Sequence, residues 1–161
     1  MRLVISAIGR MKAGPETDLL ARYADRAAKT GRQLGITALD IREFAESRDR
    51  NVEARCSAES TQLLKSVSSS ARIIALDETG RDETSLGLSG YVRNALDSGV
   101  SELAFMIGGP DGHSTELIAK ADKVLRFGSM TWPHQLVRVM LAEQLYRTIS
   151  ILAGHPYHRE G

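Results

Sequence analysis

Apolar residues recur along this chain in two rhythms. The runs Leu3-Val4-Ile5 with Ala7-Ile8, Arg72-Ile73-Ile74-Ala75-Leu76, Leu103-Ala104-Phe105-Met106-Ile107 and Val124-Leu125 with Phe127 are short and nearly continuous. Such runs suit strands covered on both faces. Between Leu34 and Phe44, Ile36, Ala38 and Asp40 alternate before Leu39 and Ile41. The polar members there predict an edge or half-exposed strand. Helical spacing fills the intervals. Pro15 opens a helix through about Lys29, with Leu19, Leu20, Tyr23 and Ala27 inward and Gly31 as its stop. A second helix follows the charged stretch Ser47 to Arg55 and runs to about Val67, with Leu63 and Leu64 inside. Thr84 or Ser85 caps a third that ends near Gly99, and Ser114 caps a short fourth with Leu117 and Ile118 inward. Strand followed by helix, five times over, predicts an α/β fold: a single domain over 1–161 with a mostly parallel sheet flanked by helices.

The last helix differs from the others. Pro133 suits its first turn, and it runs to about Leu152, with Gly154 and Pro156 beyond. Val137, Met140, Leu141, Leu145, Ile149 and Leu152 form one stripe, and Leu136, Val139 and Ile151 widen it until little of the circumference is polar. A helix of this kind is buried in a core or pressed against a partner chain. Immediately after it come His155, Tyr157, His158 and Arg159.

Composition narrows the class. At 161 residues the chain is long enough for a real core, burying roughly 70% of the surface its unfolded form exposes. The net charge of +1 announces no nucleic-acid partner and excludes none, because basic groups can cluster locally. The single Cys56 excludes an intrachain disulfide and a cysteine zinc set. No H-E-x-x-H or carboxylate cluster suggests a metal, and no apolar run is long enough for a bilayer. MRLVISAIG enters strand-like sequence directly instead of forming a signal peptide, so a cytoplasmic protein is expected.

In open α/β sheets ligands collect at the carboxyl ends of strands. Three such ends carry glycine: Leu76-Asp77-Glu78-Thr79-Gly80, Gly108-Gly109-Pro110-Asp111-Gly112 and Gly128-Ser129-Met130-Thr131-Trp132. Glycine lets a ligand approach the backbone closely, although a tight turn alone accounts for GGPDG equally simply. The spacing matches neither a dinucleotide fingerprint nor a P-loop. Trp132 reads as a core aromatic or a ligand contact, and His134 as a surface residue at a helix start. Glu143 and Arg147 are spaced for a bridge along one helix face. In the tail, histidine and tyrosine can hydrogen-bond a base edge or move protons near neutral pH, and arginine can grip phosphate. Pro156 stiffens that segment.

Several of these motifs occur together. Leu76-Asp77, Ile107 to Gly112, Thr131-x-Pro133-His134-x-Leu136-Val137-Arg138, Glu143 to Arg147 and the terminal His155-Pro156-Tyr157-His158-Arg159-Glu160 resemble the ribosomal RNA large-subunit methyltransferase H family, of the SPOUT class. The resemblance spans the whole chain. It implies S-adenosylmethionine as methyl donor, N3 of a large-subunit rRNA pseudouridine as acceptor, a C-terminal trefoil knot and a homodimer. It places the ribosome as the substrate-bearing partner and assigns no role to a metal or a membrane. It also implies donor contacts at Leu76, Gly108, Phe127, Gly128, Ser129, Met130, Thr131 and Trp132, with one protomer's tail near the other's donor. Tyr157, His158 and Arg159 are then the expected catalytic residues, and Arg138 and His155 the expected substrate-binding ones. Alternatives are an enzyme of the same class acting on another RNA base, and a non-catalytic RNA-binding module of the same fold.

Overall fold

The computed structural model describes residues 1–158. Its five strands are β1 (Arg2–Ile8), β2 (Ala38–Phe44), β3 (Arg72–Arg81), β4 (Glu102–Ile107) and β5 (Lys123–Leu125). They form one parallel sheet in the order β2-β1-β4-β3-β5. The helices between and after them are α1 (Pro15–Gly31), α2 (Val52–Lys65), α3 (Ser85–Asp97), α4 (Thr115–Lys120) and α5 (His134–Leu152).

The continuous apolar runs have a simple cause: both faces of the sheet are covered. Leu3, Ile5 and Ala7 point into a core shared with α1, α3 and α5, together with Ile74, Leu76, Leu103, Phe105 and Ile107. The alternate residues Val4, Ile8, Ile73, Ala75, Ala104 and Met106 meet Leu63 of α2 and Leu117 of α4 on the other face. Strand β2 lies at the edge, and most of its side chains are only half-buried, as its mixed pattern predicts. Three helix starts are capped by side chains: Asn51 accepts from Ala54 N–H, Thr84 from Gly87 N–H and Ser114 from Leu117 N–H.

Three boundaries differ from the sequence expectation. Helix α1 continues to Gly31, and a single 3-10 turn over Arg32–Leu34 follows before Gly35 turns left-handed at φ 80°. Phe127 lies beyond β5 rather than in it. The polar segment after Leu76 does not simply leave the sheet. Leu76 and Arg81 both pair with Leu125, so residues 77–80 bulge outward and β3 returns to the same neighbour. Gly80 makes this return possible, because a Cβ there would lie 2.6 Å from the Leu125 backbone. No apolar periodicity signals such an approach.

Helix α5 packs across α1 and α3. Val139, Leu141, Ala142, Leu145, Tyr146 and Ile149 are its buried apolar residues, while Leu136 stays 40% exposed. The expected stripe is thus shifted. Val137 and Met140 sit half-buried at cavity walls, and Tyr146 takes a core position.

Candidate active site

The three glycine-bearing turns converge. Leu76 to Thr79, Ile107 to His113 and Leu125 to Trp132 line one cleft of about 1000 Å³ at the carboxyl ends of β3, β4 and β5. His134 and Val137 at the start of α5 and Ile118 and Ala119 of α4 complete its wall. The topology explains the convergence. Leu76 and Ile107 are the last residues that β3 and β4 pair with each other, and beyond them the two strands diverge and leave a crevice.

Every expected donor-contact residue lies on this cleft: Leu76, Gly108, Phe127, Gly128, Ser129, Met130, Thr131 and Trp132. Gly108 is there for steric reasons. A Cβ on it would sit 2.8 Å from the Gly112 backbone, inside the small loop closed by the Gly112 N–H to Gly109 carbonyl bond. Behind the loop, α2 braces it. Arg55 Nε and Nη2 both reach Asp111 Oδ2 at 2.8 Å, Cys56 Sγ–H donates to the Asp111 carbonyl, and Ser60 Oγ accepts from Ser114 N–H. The hydrogen bond with Asp111 raises the pKa of Arg55, and burial raises that of the Cys56 thiol, which keeps the thiol protonated. Cys56 is therefore a packing group. On the opposite rim, Trp132 Nε1–H donates to the Phe127 carbonyl at 2.8 Å and closes the 127–132 turn on itself. Trp132 is 38% exposed and Met130 72%, so neither is a core residue.

The tail lies elsewhere. Tyr157 packs on its own helix, its ring centroid 4.6 Å from that of Tyr146, with the Arg147 guanidinium 5.0 Å from its ring centroid. Its hydroxyl donates to Glu143 Oε1 at 3.1 Å, and the same carboxylate binds Arg147. His158 Nδ1 lies 3.4 Å from Arg147 Nη1. Burial, a hydrogen bond with Tyr23 and the Glu143 charge all push the Tyr157 phenol well above its usual range, so it serves as a donor and not as a base. His155 is exposed. The cleft reaches α5 only at His134 and Val137, whereas the tail sits beside Glu143 to Arg147, roughly 15 Å further along the helix at 1.5 Å per residue. No tail residue among those described lines the cleft of its own chain. Arg159 falls outside the described residues.

Arg138 departs most from expectation. It does not project to meet a substrate but is 2% exposed, with Nη1 2.7 Å from Glu43 and Nη2–H donating to the Ile8 carbonyl. Burial lowers its pKa while Glu43 opposes the shift. Glu43 also receives the Met11 N–H, so Arg138 ties the start of α5 to the ends of β1 and β2. A long cationic side chain on a helix reads as exposed in sequence, and only the position of Glu43 across the sheet edge reverses that.

A family model described as "Predicted SPOUT methyltransferase" matches residues 1–158. The chain belongs to the SPOUT methyltransferase family. It is 49% identical to "Ribosomal RNA large subunit methyltransferase H" of Methylocella silvestris (strain DSM 15510) over 99% of this chain and 100% of that one. It is 50% identical to a protein of the same name from Chelativorans sp. (strain BNC1), over 99% of this chain and 92% of that one. Among solved structures, a SpoU methyltransferase, AviRb from Streptomyces viridochromogenes in complex with AdoMet, matches at 8% identity and a TM-score of 0.37 over 91% of this chain and 59% of that one.

The cleft of this SPOUT family member suits a ligand with a flat apolar part and several polar edges. Its volume is of the order expected for such sites, roughly 300–1000 Å³. Leu76, Ile107, Leu125, Phe127 and Val137 give apolar walls, the glycine turns bring backbone groups to the surface, and Asp77 and Glu78 place carboxylates at one end. Among the described residues no three His, Cys, Asp or Glu side chains gather as a metal site. Four wall residues were not expected there: His134, expected at the surface, Ile118, expected to face inward, Ala119 beside it on α4, and His113 just after the glycine turn. His113 alone left a trace in the sequence, being a polar ring next to GGPDG.

Proposed function

We propose that this chain is an S-adenosylmethionine-dependent methyltransferase that methylates N3 of a pseudouridine in large-subunit ribosomal RNA. The observation that carries this reading is the convergence of the three turns on one cleft in a chain of this family. The relatives' shared name supplies the substrate class. The bound donor supplies a methyl group already activated on a sulfonium, so the protein's task is alignment and exclusion of water. The Phe127 to Trp132 turn and Leu76 enclose the adenine portion by apolar contact and backbone hydrogen bonds. Gly108 permits close approach, and the Asp77 and Glu78 carboxylates favour the donor's positive charge. N3 gains a methyl and loses its proton. In this reading His158 of the partner's tail receives that proton, while Tyr157, held protonated, donates a hydrogen bond, and Arg159 offsets negative charge on the base or grips phosphate. His155 contacts the RNA alongside them.

The functional unit is a homodimer in this proposal, with the C-terminal trefoil threading that the family implies. Two features support it. The tail is held far from the cleft of its own chain, and Met130, Trp132 and Leu136 form an exposed apolar rim beside that cleft. A second protomer's tail would both cover the rim and deliver the proton-handling groups. With a net charge of only +1, general affinity for RNA is small, so the substrate is the assembled ribosome in the cytoplasm rather than a free strand. No helix of the described residues is long and apolar enough to cross a membrane.

The test is methyl transfer from labelled S-adenosylmethionine to ribosomes that lack the modification, compared with a short naked stem-loop. Transfer to the ribosomal pseudouridine is expected, with the stem-loop far poorer. Equal labelling of both would refute ribosome recognition, and labelling of neither would refute the activity.

A further inference from the structure

His113 sits where β3 and β4 part. Its Nε2 lies 3.2 Å from the Leu76 carbonyl oxygen and 3.3 Å from the Met106 carbonyl oxygen. Carbonyls only accept, so Nε2 carries the proton and shares it between the two. Nδ1 is then the bare nitrogen, and it is buried with no hydrogen-bond partner among the described residues. Leu76 and Ile107 form the last rung of the β3–β4 ladder, so this one N–H adds a tie between the strands where their own pairing ends. The ring also lines the cleft.

We propose that His113 is a positioning residue for the methyl donor: its Nε2–H holds the Leu76 and Met106 carbonyls together and thereby sets the spacing between the two turns that enclose the donor. This rests on the reading of the cleft as the donor site. The Leu76 carbonyl has one of its lone pairs occupied by the ring, so the donor meets a Leu76 backbone whose orientation is already fixed. An aliphatic side chain at 113 fills the space but leaves the strand ends untied.

The same geometry gives a pH signature. A second proton must go on Nδ1, where no acceptor receives it. Burial lowers the pKa of the ring, while the Asp77 carboxylate at the end of β3 and the two carbonyls act the other way without reversing the shift. The other charged or titrating groups near the cleft are Glu78, Asp111 paired with Arg55, Arg126 paired with Asp82, and His134. Of these, His134 is the other imidazole, so it receives its own control variant. The imidazolium keeps Nε2–H but adds an unpaired charge at Nδ1 in the wall of a site for a cationic donor, so affinity falls as acid protonates the ring.

Two measurements test this. The first needs no donor: nitrogen NMR of the free protein reports the ring tautomer, and Nε2–H with a bare Nδ1 is expected. The opposite tautomer, or a ring protonated at neutral pH, overturns the proposal. The second is calorimetric titration with S-adenosylmethionine of the wild type, His113→Gln, His113→Leu and His134→Gln. His113→Leu should bind about tenfold more weakly at neutral pH, as expected for loss of one buried hydrogen bond, and His113→Gln, which keeps an N–H, should recover part of that. Below about pH 6.5 the wild type and His134→Gln should lose affinity more steeply than both His113 variants. Wild-type affinity in His113→Leu, or an acid fall-off as steep in His113→Gln as in the wild type, overturns the proposal. If the wild type shows the expected tautomer but binds no donor, the failure belongs to the reading of the cleft. Should His113→Leu not fold, His113→Gln carries the comparison.

Discussion

The cleft and the tail both hold residues expected to do chemistry, but they are built in opposite ways. The cleft is assembled by one chain from three distant turns, and each turn is pinned from behind: Arg55 and Cys56 on Asp111, His113 on Leu76 and Met106, Trp132 on Phe127. The tail is a single short segment held by Glu143 and Arg147 of the helix that precedes it. Among the described residues, none of the tail lines the cleft of its own chain. The difference shows what each must do. A donor site has to exist before the substrate arrives, so its geometry is fixed by the fold. In the proposed dimer the tail acts on the partner's donor, so it has only to be presented in a defined direction, and a few contacts to a rigid helix suffice.

The largest expected effect separates the two directly. His158→Ala should lower methyl transfer to ribosomes by about 100-fold or more, in the range of general acid–base contributions, while donor affinity stays unchanged. Undiminished transfer would remove the tail from the chemistry. Mixing this variant with Gly108→Val protein under conditions of subunit exchange, at a donor concentration too low to saturate Gly108→Val, should restore transfer, and failure to do so would place tail and cleft in the same chain.

Arg138→Ala comes next, and its readout is stability. Removing it strips the Glu43 carboxylate of its partner and leaves the Ile8 carbonyl bare, at a cost of about 3 kcal/mol in a chemical denaturation curve. A variant as stable as the wild type but deficient with ribosomes would return Arg138 to the substrate. Gly108→Val should weaken donor binding by roughly tenfold to 100-fold, because its Cβ needs the Gly112 backbone to move, a strain of about 1–3 kcal/mol. Unaltered calorimetric affinity would mean that the glycine is only a turn residue.

The smallest effect should be that of Glu143→Gln. The i,i+4 pair with Arg147 contributes about 0.3–0.5 kcal/mol, so the melting temperature should scarcely move. The Tyr157 phenol loses the carboxylate that helps to hold its pKa up, and its titration, followed by ultraviolet absorbance, should shift toward the ordinary tyrosine range. An unmoved titration would show that Glu143 does not anchor the tail.

Much of this was legible in the sequence because it depends on local pattern. Continuous apolar runs at Leu3 to Ile8 and Leu103 to Ile107 reveal strands covered on both faces. The caps Thr84 and Ser114 mark helix starts, and a glycine-bearing turn after the apolar run of each of β3, β4 and β5 marks the ligand edge of the sheet. What the chain alone left open are properties of approach between segments far apart in sequence. Arg138 has the composition of a surface cation, yet Glu43 lies 95 positions away and draws it inward. Gly80 looks like turn punctuation, but its reason is the Leu125 backbone passing 2.6 Å from where a Cβ would be. His113 gives no periodic signal, and its meaning comes from two carbonyls on strands that only the fold brings side by side. Periodicity records which face of an element is buried, since burial acts on each residue separately. Which partner a buried polar group finds depends on where distant elements come to rest, and that the tertiary structure alone decided.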